Sequence, residues 1–138
     1  MLNVQKACPV VIRTTDQGLE VLAFIHPLAG HQFVKGTIEK GETPSVAAKR
    51  ELFEESGLVC LEPLELLGSA PIGLDQATWY FYVWHSTGLL DTWLHATTDD
   101  HGHNFAFFWH PIDLKLDESW HPIFHEAFDF FSGCIRER

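Results

Sequence analysis

The chain has 138 residues, 46% of them hydrophobic and 20% charged, which suits one folded domain with its own core and excludes a disordered tail. Nine Lys+Arg against nineteen Asp+Glu leave a formal net charge of −10. This excludes a protein that grips nucleic acid by its phosphates, which needs a basic face, and suits one that concentrates metal cations. No run approaches the ~20 apolar residues of a membrane span, and the start, Met1-Leu2-Asn3-Val4-Gln5-Lys6, lacks a secretory pattern. Cys8, Cys60 and Cys134 are odd in number and far apart, so they read as reduced thiols of a cytoplasmic protein. Residues 1–138 read as a single domain without repeats or linkers.

In chain order, residues 4–14 are strand-like around the β-branched Val10-Val11-Ile12, and Asp16-Gln17-Gly18 is a turn into a second apolar strand over 19–26. His26-Pro27-Leu28-Ala29-Gly30 breaks that strand, Gln32-Phe33-Val34 is a short extended piece, and a glycine loop with Gly36 and Gly41 follows. Thr43 and Pro44 start a helix whose body, 45–56, is free of Gly and Pro, and Gly57 ends it with a left-handed cap. Aromatic-rich strands are expected over 64–72, 78–86 and 105–110, with a weaker one at 92–96 and a terminal helix from Pro122 toward Cys134. Strands and helices interleave without regular βαβ spacing, so a mixed sheet flanked by helices is expected.

The charges on the first helix are unusual. With Glu51 at zero and about 100° per residue, Glu55 falls near 40° and Glu54 near 300°, so three carboxylates share one face. Ala47 and Ala48 lie one turn earlier on that face, while Leu52, Val46 and Phe53 point away as the expected core stripe. Like charges at i,i+3 and i,i+4 repel by ~0.2–0.5 kcal/mol per pair, and anions in the last turn oppose the helix dipole by roughly 0.3–1 kcal/mol. A helix arranged for stability alone would carry Lys or Arg there. Carboxylates are preferred ligands of Mg²⁺ and Mn²⁺, so a divalent ion is the natural counter-charge.

These residues form a longer pattern. Gly36, five residues, Glu42, seven residues, then Arg50-Glu51-Leu52-Phe53-Glu54-Glu55-Ser56-Gly57-Leu58 resembles the complete signature of the Nudix hydrolases of the MutT type. At roughly 5–8% usage per specified residue, a chance match at one start has odds of about one in 10⁹. The resemblance implies an α/β fold, the Nudix α/β/α sandwich with a mixed central sheet. It further implies hydrolysis of a nucleoside diphosphate linked to another moiety, with Mg²⁺ or Mn²⁺ as cofactor. By that resemblance Glu54 and Glu55 are the main metal ligands, and Glu51 is a further ligand or the residue that activates water. The Lys35 carbonyl is another metal ligand, Arg50 holds a signature glutamate by a bidentate pair, and Glu42 supports the cluster. Gly36, Lys40 and Glu42 stand beside the substrate. The implied partner is a small nucleotide, with neither stable nucleic-acid binding nor a membrane, and the residues leave the oligomeric state open, a homodimer included.

Outside the signature, Asp99, Asp100 and His101 precede the strand over 105–110 and are candidates for the catalytic base, Asp100 being placed in the catalytic set; His103-Asn104 occupies the position where many relatives carry Glu. The spacing of His95, His101, His103 and His110 matches no zinc pattern. His26 and His31 flank the entrance to the signature and are candidates to face substrate. Trp79-Tyr80-Phe81-Tyr82-Val83-Trp84 reads mainly as sheet core, although one of its aromatics, Phe33 or Trp93 is a candidate to stack a base. Lys35 and Lys40 either meet phosphates or balance Glu39 and Glu42. Leu74 and Asp75 stand where neither an ADP-ribose-type proline nor a dinucleoside-polyphosphate-type tyrosine is found. Conversion of a (deoxy)nucleoside triphosphate to monophosphate and pyrophosphate leads as the activity, ahead of dinucleoside polyphosphate hydrolysis and a non-catalytic nucleotide sensor.

Overall fold

The computed structural model describes residues 4–98 and 102–138. Its central strand, β1 (Gln5–Thr15), is buried continuously from Ala7 to Ile12, as expected of a strand covered on both faces. The chain continues through β2 (Gly18–His26), β3 (Gly30–Gln32), β4 (Gly36–Thr37), α1 (Pro44–Ser56), β5 (Glu65–Ile72), β6 (Ala77–His85), β7 (Trp93–Ala96), β8 (Asn104–Pro111) and α2 (Pro122–Arg136). The sheet order is β5-β6-β1-β2-β8-β7, with β3 added to β2 and β4 to β1. Among the paired strands of the described residues only β1 and β6 run parallel; the other pairs are antiparallel. This is the mixed sheet expected from the sequence.

Strand alternation divides the core into two layers. Cys8, Val10 and Ile12 of β1, Val21 and Ala23 of β2, and Trp79, Phe81 and Val83 of β6 join Phe124, Phe128 and Phe131 of α2. From the opposite face, Val11, Leu22, Phe24, Phe105 and Phe107 pack with Leu52 of α1. Helices therefore cover both faces, making an α/β/α sandwich. The aromatic run of β6 reads as core, with Trp79, Phe81 and Val83 buried and the alternate residues half-buried.

The first helix has the expected ends. Thr43 Oγ1 accepts from Val46 N–H, Pro44 occupies the first turn, and Gly57, at φ 81°, donates its N–H to the Phe53 carbonyl. Its buried face differs from the expected stripe: Ala47, Ala48, Leu52 and Ser56 are buried, whereas Val46 and Phe53 are 53% and 55% exposed. Ala47 and Ala48 pack on Ala7 of β1, alongside Ile38, Leu64 and Tyr82. Small residues at this contact bring the helix close to the sheet, so the alanine face turns inward and carries the neighbouring glutamates with it. The short extended piece is also shifted: β3 ends at Gln32, and Phe33 and Val34 lie beyond it as buried core residues.

Phe131 is fully buried and its ring meets Phe33, Phe81 and Phe128. Phe131→Ala is expected to cost ~3–5 kcal/mol in chemical denaturation, whereas Phe53→Ala, on the open helix face, should stay within about 0.5 kcal/mol of the parent.

Candidate active site

Arg50 projects from α1 into the group of carboxylates around it. Its Nε and Nη2 donate to the two oxygens of Glu42 at 2.7 and 2.9 Å, a bidentate pair. Nη1 donates to Glu51 at 2.8 Å and, at 3.3–3.4 Å, to Glu54, while Nη2 also reaches the Thr37 carbonyl at 3.0 Å. Glu39 lies 3.8 Å from Nη1. One guanidinium of the same helix thus offsets part of the carboxylates' charge, and it ties the glycine loop to the helix. The hydrogen bonds from Arg50 hold the Glu42 carboxyl well below its ordinary pKa, at about 2, with help from the Glu39 N–H and against the effect of burial. The same carboxylates push the Arg50 pKa upward.

Gly36 stands directly against Glu51. A Cβ at Gly36 would lie 2.0 Å from the Glu51 carboxyl carbon, so any side chain there would occupy the carboxylate's place. β4 holds this contact in register, because Gly36 pairs with Ala7 and Thr37 with Lys6 on β1. The C-terminal end of α1, which carries Glu54 and Glu55 and has no basic residue in its last turn, is bound by the β7 edge. There Trp93 Nε1 donates to the Ser56 carbonyl at 3.0 Å, and His95 Nε2 donates to the Glu54 carbonyl at 3.1 Å. These donors offset the partial negative charge of the helix end, where carboxylates are otherwise disfavoured.

The donor set fits a hard divalent cation. Glu51, Glu54 and Glu55 offer carboxylate oxygens, one of them, Glu55 Oε2, buried, and the Lys35 carbonyl borders Gly36. Against four carboxylates, Glu39, Glu42, Glu51 and Glu54, Arg50 brings a single positive charge. Among the described residues no three His, Cys, Asp or Glu side chains are already gathered to hold an ion. Glu51 and Glu54 lean on Arg50, with which a bound cation would share them.

Beside this cluster lies a cavity of about 370 Å³, at the lower end of the ~300–1,000 Å³ typical of small-molecule sites. Ile72 and the buried Trp79, packed on Phe81 and Phe124, form its apolar floor; Lys6, Lys35, Asp75 and His121 bring polar groups to its walls. Leu74 and Asp75, in the β5–β6 hairpin, thus border the cavity directly. Lys6, Trp79 and His121 were not singled out in sequence as a group, and no motif joins them: they come from β1, β6 and the start of α2. A larger cavity, of about 460 Å³, lies at the far end of β1 around Arg13 and His85, away from the carboxylates.

The other candidates take different places. Lys40 is exposed in the loop after β4. Phe33 is buried among Trp120, Phe124, Phe128 and Phe131, and Trp93 stacks on Phe107, so both serve packing rather than base stacking. His26 is buried, its Nδ1 accepting from the Leu28 and Ala29 N–H groups, and His31 packs on Phe108 and Trp120. Neither lines the cavity beside the carboxylates. His103 lies 4.9 Å, ring to ring, from His26. Asp99, Asp100 and His101 lie outside the described residues.

The glycine-backed carboxylate cluster lies in an α/β/α sandwich, and the model of the NUDIX domain matches residues 5–128. The chain belongs to the Nudix family and is a pyrophosphohydrolase, acting on nucleoside diphosphate derivatives. Among solved structures it is similar to the NUDIX domain of Shewanella oneidensis NrtR complexed with ADP ribose (17% identity, TM-score 0.70, covering 100% of this chain and 89% of that one). It is also similar to a C. elegans Ap4A hydrolase (17% identity, TM-score 0.68, 97% and 100%) and to the Bacillus subtilis pyrophosphohydrolase BsRppH (18% identity, TM-score 0.66, 99% and 84%). No curated protein matches the sequence.

Two outcomes follow from this geometry. Gly36→Ala is expected to displace the Glu51 carboxylate and lower kcat by about a hundredfold or more, since Å-scale misplacement of reacting groups costs about that much; circular dichroism should show the fold retained. The Glu42–Arg50 pair contributes stability that is fully present above the unfolded carboxyl pKa of 4.5 and is lost as pH falls toward about 2. Denaturation of the parent and of Glu42→Gln should therefore differ at pH 7 and converge on acidification through that window.

Proposed function

We propose that this chain hydrolyses a (deoxy)nucleoside triphosphate to the monophosphate and pyrophosphate, using Mg²⁺ or Mn²⁺ held by Glu51, Glu54, Glu55 and the Lys35 carbonyl. The observation that carries the reading is the joining of two unlike sites. A cavity bordered by Lys6 and Lys35 stands next to the Arg50-centred carboxylates, Lys35 preceding the Gly36 that meets Glu51. The apolar side of the cavity, with Ile72, Leu74 and Ile123, suits the flat apolar body of a nucleobase. Phosphates beside glutamates require a cation between them, and a divalent ion supplies the Lewis-acid charge that neutralises anhydride oxygens.

The chain's own groups do the rest. Arg50 fixes Glu42 and orients Glu51 and Glu54, so the site keeps its shape with substrate absent. Water attacks phosphorus, forming the new P–O bond as the anhydride P–O bond breaks, and its proton passes to Glu51 or Asp100. Gly36 lets the backbone lie flush against Glu51. Gly36, Lys40 and Glu42 line the approach to the phosphates. The free cysteines fit a cytoplasmic setting, and no helix among the described residues is long and apolar enough to cross a membrane. A dinucleoside polyphosphate is the second reading, favoured by the likeness to the Ap4A hydrolase.

The test is release of phosphate and pyrophosphate with Mg²⁺, Mn²⁺ or EDTA over nucleoside triphosphates, diadenosine tetraphosphate, ADP-ribose and nucleotide sugars. Turnover should need the metal and be highest on one triphosphate. Glu54→Gln and Glu55→Gln should each lower it by roughly 10²–10³ or more, the scale of one lost electrostatic contact to a transition state, with the fold intact. Near-normal activity in either variant would overturn the ligand assignment.

A further inference from the structure

Lys6 and Lys35 are both half-buried and share the wall of the cavity beside Glu51. In a chain with nineteen acidic residues, an ion pair would be the ordinary way to hold such groups. Among the described residues neither has one. The signature carboxylates Glu39, Glu42, Glu51 and Glu54 are drawn to Arg50, and the one hydrogen bond from Lys6 Nζ goes to a neutral acceptor, Thr37 Oγ1, at 2.8 Å. The balancing of Glu39 and Glu42 by Lys35 is therefore not what the fold builds. Burial and the like charge of Lys35 hold the Lys6 ammonium below the ordinary lysine pKa, while Glu51 and Asp75 act in the opposite direction.

Two ammonium groups placed together without contact counter-ions cost energy unless an anion joins them. Their position limits what that anion is. Lys6 pairs with Thr37, next to Gly36, whose Cα abuts the Glu51 carboxylate. The lysines thus stand between the Trp79 floor on one side and the carboxylate cluster on the other. A group that answers the two lysines is anionic, and Ile72, Leu74 and Ile123 beside them suit an apolar body joined to it.

We propose that Lys6 together with Lys35 binds the phosphate nearest the nucleoside, holding the nucleotide in the cavity independently of the metal. This rests on the nucleotide reading of the preceding section and adds to it a substrate-binding residue on β1 that lies outside the signature. Lysine suits the role as a compact point charge with three donors, able to meet a phosphate oxygen while keeping its bond to Thr37.

The test is calorimetric titration of the EDTA-treated protein with adenosine and AMP, and with guanosine and GMP. For at least one pair the monophosphate should bind about tenfold or more tighter than its nucleoside, the scale of one charge-assisted hydrogen bond. Lys6→Met and Lys35→Met should each remove most of that difference without changing nucleoside binding. Lys6→Arg should keep it, and Lys115→Met, at an exposed position between β8 and α2 that does not line the cavity, should leave it untouched. In the metal-loaded enzyme Lys6→Met should raise KM for the preferred triphosphate about tenfold, with kcat nearly unchanged. Equal binding of nucleoside and monophosphate, or a phosphate preference that survives both methionine variants, would overturn the lysine assignment and leave the nucleotide reading standing. Binding of neither partner in both pairs would overturn the cavity reading itself, and the lysine assignment with it.

Discussion

The guanidinium of Arg50 is the interaction on which the site depends. Four carboxylates, Glu39, Glu42, Glu51 and Glu54, are brought around it by one loop and one helix, and such a group repels itself. Arg50 binds Glu42 through two parallel hydrogen bonds and reaches Glu51 and Glu54 with its remaining nitrogen. A planar donor fork matches this arrangement; a lysine's single ammonium nitrogen cannot make the two parallel hydrogen bonds of a bidentate pair. The pairing offsets only part of the negative charge. The remainder is the charge that the proposed divalent cation would answer, so the residue that stabilises the cluster also leaves part of its charge unmatched.

The sandwich fixes where that charge points. β1 is covered on both faces, and the helix carrying the glutamates lies close to it through an alanine contact, Ala47 and Ala48 on Ala7. Because the helix is near, β4 can bring Gly36 against Glu51, and the cavity floor on β6 lies on the adjoining strand. The edge strand β7 completes the arrangement from the other end by donating Trp93 and His95 to the last carbonyls of the helix. Core packing and the active site are thus not separate structures: the same close approach serves both.

Much of this was legible in the chain. The helix ends were written in Thr43, Pro44 and Gly57, because capping is a local matter of backbone geometry. The strands followed from alternation and β-branching, and the signature spacing from Gly36 to Leu58 carried the family. The buried face of the helix was misread. Val46 and Phe53 are the larger apolar residues and suggest a core stripe, yet close packing favoured the small residues and left both of them in solvent. Hydrophobicity alone does not report how near two elements will come.

What the sequence by itself determined is therefore the chemistry of the parts: a capped acidic helix, a glycine loop, strands for a mixed sheet and a complete family signature. These depend on residues close along the chain, where spacing dictates geometry. Only the tertiary structure decided which groups face one another. It brought Lys6 of β1, Lys35 before β4, Trp79 of β6 and His121 of α2 to one cavity, and it set Arg50 against Glu42, Glu51 and Glu54 together where the signature implied a pair with one glutamate. Such neighbours are separated by tens of residues, and their meeting is set by strand order and helix approach, which no local pattern encodes.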